Sequence, residues 1–92
     1  MLTNEKIEII IKAIQKFGVD HQYIQAGEEL GELLTKLSQF KRGRVGREDV
    51  MEEMADVTIV LDCFKVLLSI SDKELEEKIN SQYKKFKGQV DD

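Results

Sequence analysis

Met54-Ala55-Asp56-Val57-Thr58-Ile59-Val60-Leu61-Asp62-Cys63-Phe64-Lys65-Val66-Leu67-Leu68-Ser69-Ile70 is the most apolar stretch of the chain, and its reading decides the fold. Spanning a bilayer takes about 20 mostly apolar residues, and a charge at bilayer depth is costly. Asp56, Asp62 and Lys65 interrupt the run, so it does not read as a transmembrane segment. It lacks sustained apolar/polar alternation and turn pairs such as Asn-Gly, which leaves a strand with little support. The stretch reads as one buried helix of a soluble protein.

The sequence on either side has the same character. No proline occurs in 92 residues, and isoleucine, leucine, lysine, glutamate and glutamine are abundant, which favours helix throughout. Ile7, Ile10, Ile11, Ile14 and Phe17 share one face of a first helix over about Asn4 to Phe17, with Gly18 as a left-handed stop. Asp20 is a suitable N-cap for a second helix reaching about Lys41. Its apolar stripe, Tyr23, Ala26, Leu30, Leu33, Leu34, Leu37 and Phe40, is expected to mark the core side. The basic, glycine-punctuated Lys41-Arg42-Gly43-Arg44-Val45-Gly46-Arg47 reads as a loop.

Glu48 and Asp49 place negative charge at the start of a third helix running to about Ser69. Ser71-Asp72-Lys73-Glu74 is a capping box for a fourth, from Asp72 to about Lys87, expected to bury Leu75, Ile79, Gln82 or Tyr83, and Phe86. Gly88 is expected to end it and Gln89 to Asp92 to fray. The expectation is a single all-α, four-helix domain over residues 1–92.

Composition narrows the function. A net charge of −4 gives no global reason to coat DNA or an anionic membrane. One cysteine cannot close an internal disulfide, and no Cys/His pairs stand at zinc-ligand spacing. Cys63 is expected to be an inert buried thiol. The amino terminus lacks the basic and apolar regions of a secretory signal, so a reducing cytosol fits best. A core is marginal at this length, and the third helix is apolar over most of its circumference, so a homo-oligomer is expected, a dimer being the simplest.

Two acidic pairs share one spacing: Glu29 with Glu32, and Glu53 with Asp56. Carboxylates three residues apart lie on nearly the same side of a helix, one turn apart, and repel. With Val50 as zero and roughly 100° per residue, Met54, Val57, Val60, Leu61 and Phe64 span an arc from about +40° to −80°, and Glu53 falls inside it near −60°. Asp56 borders that arc, and Glu29 borders the stripe of the second helix. A glutamate on an apolar stripe must be protonated, paired or metal-bound. All-oxygen ligands without histidine or cysteine suit Mg²⁺ or Mn²⁺, and such a grouping suggests phosphate chemistry, with the basic 41–47 loop as a phosphate partner or simply a solvated loop.

The two blocks, Glu28-Glu29-Leu30-Gly31-Glu32-Leu33 and Glu52-Glu53-Met54-Ala55-Asp56-Val57, resemble the MazG-like all-α nucleoside triphosphate pyrophosphohydrolases. That superfamily includes the dimeric dUTPases and phosphoribosyl-ATP pyrophosphohydrolase. The resemblance covers roughly residues 20–86 and is specific mainly in these two blocks.

It implies a four-helix, Mg²⁺-dependent enzyme that splits an NTP or dNTP into monophosphate and pyrophosphate. By position, Glu29, Glu32, Glu53 and Asp56 would hold Mg²⁺, or alternatively Mn²⁺, and Glu28 would orient or deprotonate the attacking water. Lys36, Asn80 and Lys84 would contact phosphate, or else be solvated polar-face residues. His21, Gln22 and Tyr23 would offer stacking and hydrogen bonds to a base, although core or capping roles suit His21 and Tyr23. Unlike some relatives, the chain has no tryptophan around a base pocket. The alternatives are phosphoribosyl-ATP hydrolysis and a non-catalytic helical interaction module. A di-iron site is disfavoured because the only histidine is far from both blocks, and nucleic-acid binding because one basic loop is a small footprint.

Overall fold

The computed structural model describes residues 2–91, which form four helices in sequence: α1 (Asn4–Phe17), α2 (Val19–Lys41), α3 (Arg47–Leu67) and α4 (Asp72–Asp91). No strand occurs among the described residues. Local chemistry sets most boundaries. Thr3 Oγ1 caps α1 by accepting the Lys6 N–H at 3.2 Å. Gly18, at φ 90°, separates α1 from α2 in a single residue and donates its N–H to Ile14 O. The second helix therefore starts at Val19, and Asp20 lies in its first turn instead of capping it.

At the far end of α2, the Gly43 N–H reaches Phe40 O and the Arg44 N–H reaches Gln39 O, with Gly43 at φ 72°. This Schellman pattern satisfies orphan carbonyls and turns the chain sharply. Asp49 accepts the Gly46 N–H at 2.9 Å to open α3. Ser71 Oγ accepts the Glu74 N–H at 3.1 Å to open α4. Gly88 does not end α4, which continues to Asp91. A glycine stops a helix when the chain takes a positive φ there, and Gly88 keeps helical backbone. Asp92, the last residue of the expected frayed tail, lies outside the described residues.

The helices α2 and α3 form an antiparallel hairpin, with α1 packed against both. Tyr23 meets Phe64 edge-on at 5.0 Å, and Ile10, Val57 and Cys63 are the buried hydrophobic residues among those described. By contrast, α4 is held mainly at its first turn. The Lys65 ammonium lies 3.1 Å from Asp62 and 2.8 Å from Asp72, and Asp72 also accepts the Leu2 N–H at 3.2 Å.

The expected core stripes are corrected on every helix. On α2, Tyr23, Leu30, Leu37 and Phe40 are exposed and Leu34 is 71% exposed, while Ala26 and Leu33 are half-buried. The same is true of Ile11 and Phe17 on α1, Met54 and Leu61 on α3, and Ile79, Gln82, Tyr83 and Phe86 on α4. One neighbour covers only one strip of a helix. The strip of α2 that faces α3 carries Gln22, Ala26, Glu29, Leu33 and Lys36, roughly a quarter-turn from the most apolar line. No described helix is long and apolar enough to cross a membrane.

Candidate metal centre

The tight turn between α2 and α3 sets the two acidic blocks opposite one another. Three carboxylates converge across the seam: Glu29 from α2, with Glu53 and Asp56 from α3, offer oxygen atoms all within 4.8 Å of one another. Glu29 and Glu53 are half-buried and Asp56 is exposed, so the cluster opens at one side of the hairpin. Glu32 lies one turn along α2 from Glu29, and its side chain adds to burial in raising the Glu53 carboxyl.

Burial pushes the Glu29 carboxyl above its ordinary value, and the charges of Glu32, Asp56, Glu53 and Glu28 add to that. Burial also raises Glu53, followed by Glu32 and Asp56, while Lys36 pulls the other way. Glu29 Oε2 and Glu53 Oε2 are out of solvent contact and have no hydrogen-bond partner. A buried carboxylate oxygen without a partner is costly, and a proton or a cation is what relieves it. With all-oxygen donors arranged on two rigid helices, the residues fit a hard divalent ion.

Beside the cluster, an open groove of about 750 Å³ runs along α2. Gly27, Gly31 and Thr35 line it with small side chains, and Glu28, Glu32, Lys36, Gln39 and Glu53 supply its polar groups. A Cβ added at Gly27 or Gly31 would meet nothing within 4 Å, so these glycines leave real space. Thus Glu28 and Lys36 line the same groove as Glu32 and Glu53. Asn80 and Lys84 do not: both are exposed on α4, outside the residues lining this groove.

Sequence reasoning missed Gln39, whose Oε1 is buried without a partner in the same groove. Its spacing, three residues beyond Lys36 and seven beyond Glu32, was the available signal. His21 packs on Phe17 with ring centroids 5.0 Å apart, and Tyr23 packs on Phe64, so both rings are engaged in helix packing. Gln22 is buried. Burial, followed by the Asp62 charge, holds the Cys63 thiol in its protonated form. No family model matches the chain, and neither does a curated protein or a solved structure.

Proposed function

We propose that this protein is a Mg²⁺-dependent nucleoside triphosphate pyrophosphohydrolase, converting NTPs or dNTPs to monophosphates and pyrophosphate in nucleotide-pool clean-up. The observation that carries the reading is the Glu29, Glu53 and Asp56 cluster, two of whose oxygens are buried without a partner. When bound, the divalent ion supplies Lewis-acid polarisation of phosphate oxygens and a lowered pKa for a coordinated water.

Glu29, Glu53 and Asp56 would hold the ion, with Glu32, one turn along α2, as a fourth carboxylate. Glu28, at the mouth of the groove, orients or deprotonates the attacking water. Lys36 pairs with phosphate oxygen, and the small residues at 27, 31 and 35 leave room for the substrate. Asn80 and Lys84 contact phosphate only where assembly brings an α4 to the groove. The active form is a homodimer or homotetramer, and its single cysteine suits a reducing cytoplasm.

The test is a panel of NTPs and dNTPs with Mg²⁺, reading pyrophosphate against orthophosphate. Pyrophosphate with equimolar monophosphate is the expected result. Orthophosphate alone, or no turnover together with no Mg²⁺ heat in titration calorimetry, overturns it.

A further inference from the structure

The fourth helix is fixed to the rest of the molecule at one end. Asp72 and Leu75 in its first turn are half-buried, and every described side chain from Glu76 to Asp91 is exposed. Neither α1, α2 nor α3 lies along it. What holds the first turn is a cluster of three charges at the end of α3. The Lys65 ammonium, on a side chain 12% exposed, stands 3.1 Å from Asp62, 15% exposed, and 2.8 Å from Asp72, 34% exposed. The second Asp72 oxygen accepts the Leu2 N–H.

The two carboxylates differ in what their departure would strand. A buried cation that loses its only partner is left uncompensated, which is why buried ion pairs are usually hard to open. Lys65 has two partners. When Asp72 leaves, Asp62 stays beside the ammonium, because both belong to α3, one turn apart. Asp72 moves into water in the first turn of α4, where the helix dipole favours a carboxylate. Opening therefore strands no charge on either side.

The connection is built to pivot. The end of α3 is closed by its own bonds, Ser69 N–H to Val66 O and Ile70 N–H to Lys65 O, and the start of α4 by the Ser71 hydroxyl on the Glu74 N–H. Neither helix end depends on the other for its hydrogen bonds.

We infer that α4 is a hinged arm and Lys65 its latch: the helix swings as a rod about residues 68–71, held in the present orientation while Asp72 sits on Lys65 and released when it does not. With 20 residues the arm is about 30 Å long, close to the length of α3, so its swing sweeps the whole hairpin. The inference is independent of metal, substrate and assembly.

The experiment measures the distance from α2 to α4 by pulsed electron paramagnetic resonance. Spin labels go on Ser38→Cys and Ser81→Cys, both exposed positions, in a Cys63→Ala background diluted into unlabelled chain. At low salt one distance should dominate, with any second population below about a tenth. Asp72→Asn should raise that second population roughly fivefold, while Asp62→Asn, which keeps the Lys65–Asp72 contact, should not. Since Asp72 is a third exposed, about 1 M salt should act on the intact cluster in the same direction as Asp72→Asn. The salt series needs no substitution among the three charges, so it decides the matter if a cluster variant fails to fold. A distribution unchanged by Asp72→Asn, or by salt where that variant does not fold, overturns the inference. So does a broad distribution before either change, or equal release by Asp62→Asn. Release accompanied by loss of helical circular dichroism also overturns it, because the motion is then unravelling of α4 and not a swing.

Discussion

Glu53 lies where residue-scale forces conflict: its angular position places it on the seam, its neighbours share its charge, and its buried oxygen has no donor. The conflict has a sign in pH. The ordinary value for the carboxyls of Glu29 and Glu53 is 4.5, and folding raises both. The folded chain therefore holds more protons than the unfolded one between 4.5 and those raised values, and the associated stability is lost as pH rises through them. Asp72 moves the other way. Its hydrogen bond from Lys65 lowers it from 3.8, so its stability is lost only as pH falls through that lowered value. Without divalent ions, Tm is expected to fall from mildly acid pH towards neutral, and Glu53→Gln to flatten the slope. Because an ion competes with protons for the same oxygens, Mg²⁺ should stabilise more at neutral than at acid pH. Glu53→Gln and Asp56→Asn should each weaken Mg²⁺ binding at least tenfold and abolish turnover while the helical circular dichroism persists. Activity retained in both would remove these residues from the centre. At the C-terminal end of α3, Ser69 occupies φ 55° in a Schellman turn in which the Ile70 N–H reaches Lys65 O at 2.8 Å. Ser69→Gly should stabilise the chain by about 1 kcal/mol, seen as a higher denaturant midpoint at unchanged slope.

Each helix carries a mixture of local and non-local instruction, and only the local part is readable in isolation. The cap at Ser71, the break at Gly18 and the turn after Lys41 involve groups within a few residues of one another, so sequence placed them closely. Gly88 misled because a glycine permits a positive φ without requiring it, and nothing beyond it forces a turn. The stripe of α2 misled differently: period 3.6 shows that Tyr23, Leu30, Leu34 and Leu37 share a side, but not what covers that side. The acidic blocks were legible because i and i+3 carboxylates on apolar helices conflict with solvation, whereas their convergence depends on the length of the turn between them. Gly31, inside α2, gives a test at this scale. Replacing a mid-helix glycine by alanine gains about 0.5–1 kcal/mol where space allows, and it does here. Gly31→Ala should raise Tm, while Gly31→Leu should fill the groove and raise KM for the triphosphate at unchanged Mg²⁺ affinity. An unchanged KM would place the substrate elsewhere. For α4, Lys65→Met removes the charged contacts at its first turn. A cost of about 1–3 kcal/mol is expected, with the amides of residues 72–76 losing hydrogen-exchange protection before those of α2 and α3.

For the whole molecule, shape and area say the same thing as the misplaced stripes. The Cα radius of gyration is 15.7 Å, against about 12 Å for a globular domain of 92 residues. The extents of 44 × 34 × 22 Å describe a flat body with an arm instead of a closed bundle. Among the described residues, Ile10, Val57 and Cys63 are the buried hydrophobic ones, while many large apolar side chains stay exposed. The proposed homo-oligomer would couple stability to association, and that coupling has a measurable form. If unfolding releases two chains from one dimer, each tenfold increase in protein concentration adds about 1.4 kcal/mol per dimer. For an assembly of this combined size, that amounts to roughly 3–6 °C in Tm. Wild type is expected to show this rise at pH 7 both with and without Mg²⁺, because the proposed ion site lies among Glu29, Glu53 and Asp56 and does not include the exposed Leu34. Leu34→Glu should melt lower and lose the concentration dependence, yet gain Tm on adding Mg²⁺ by the same mass-action relation that governs any ligand of the folded chain. A wild-type Tm that stays constant over two decades of concentration would mean that the isolated chain is stable with its apolar side in water, and the link drawn here between exposure and assembly would fail.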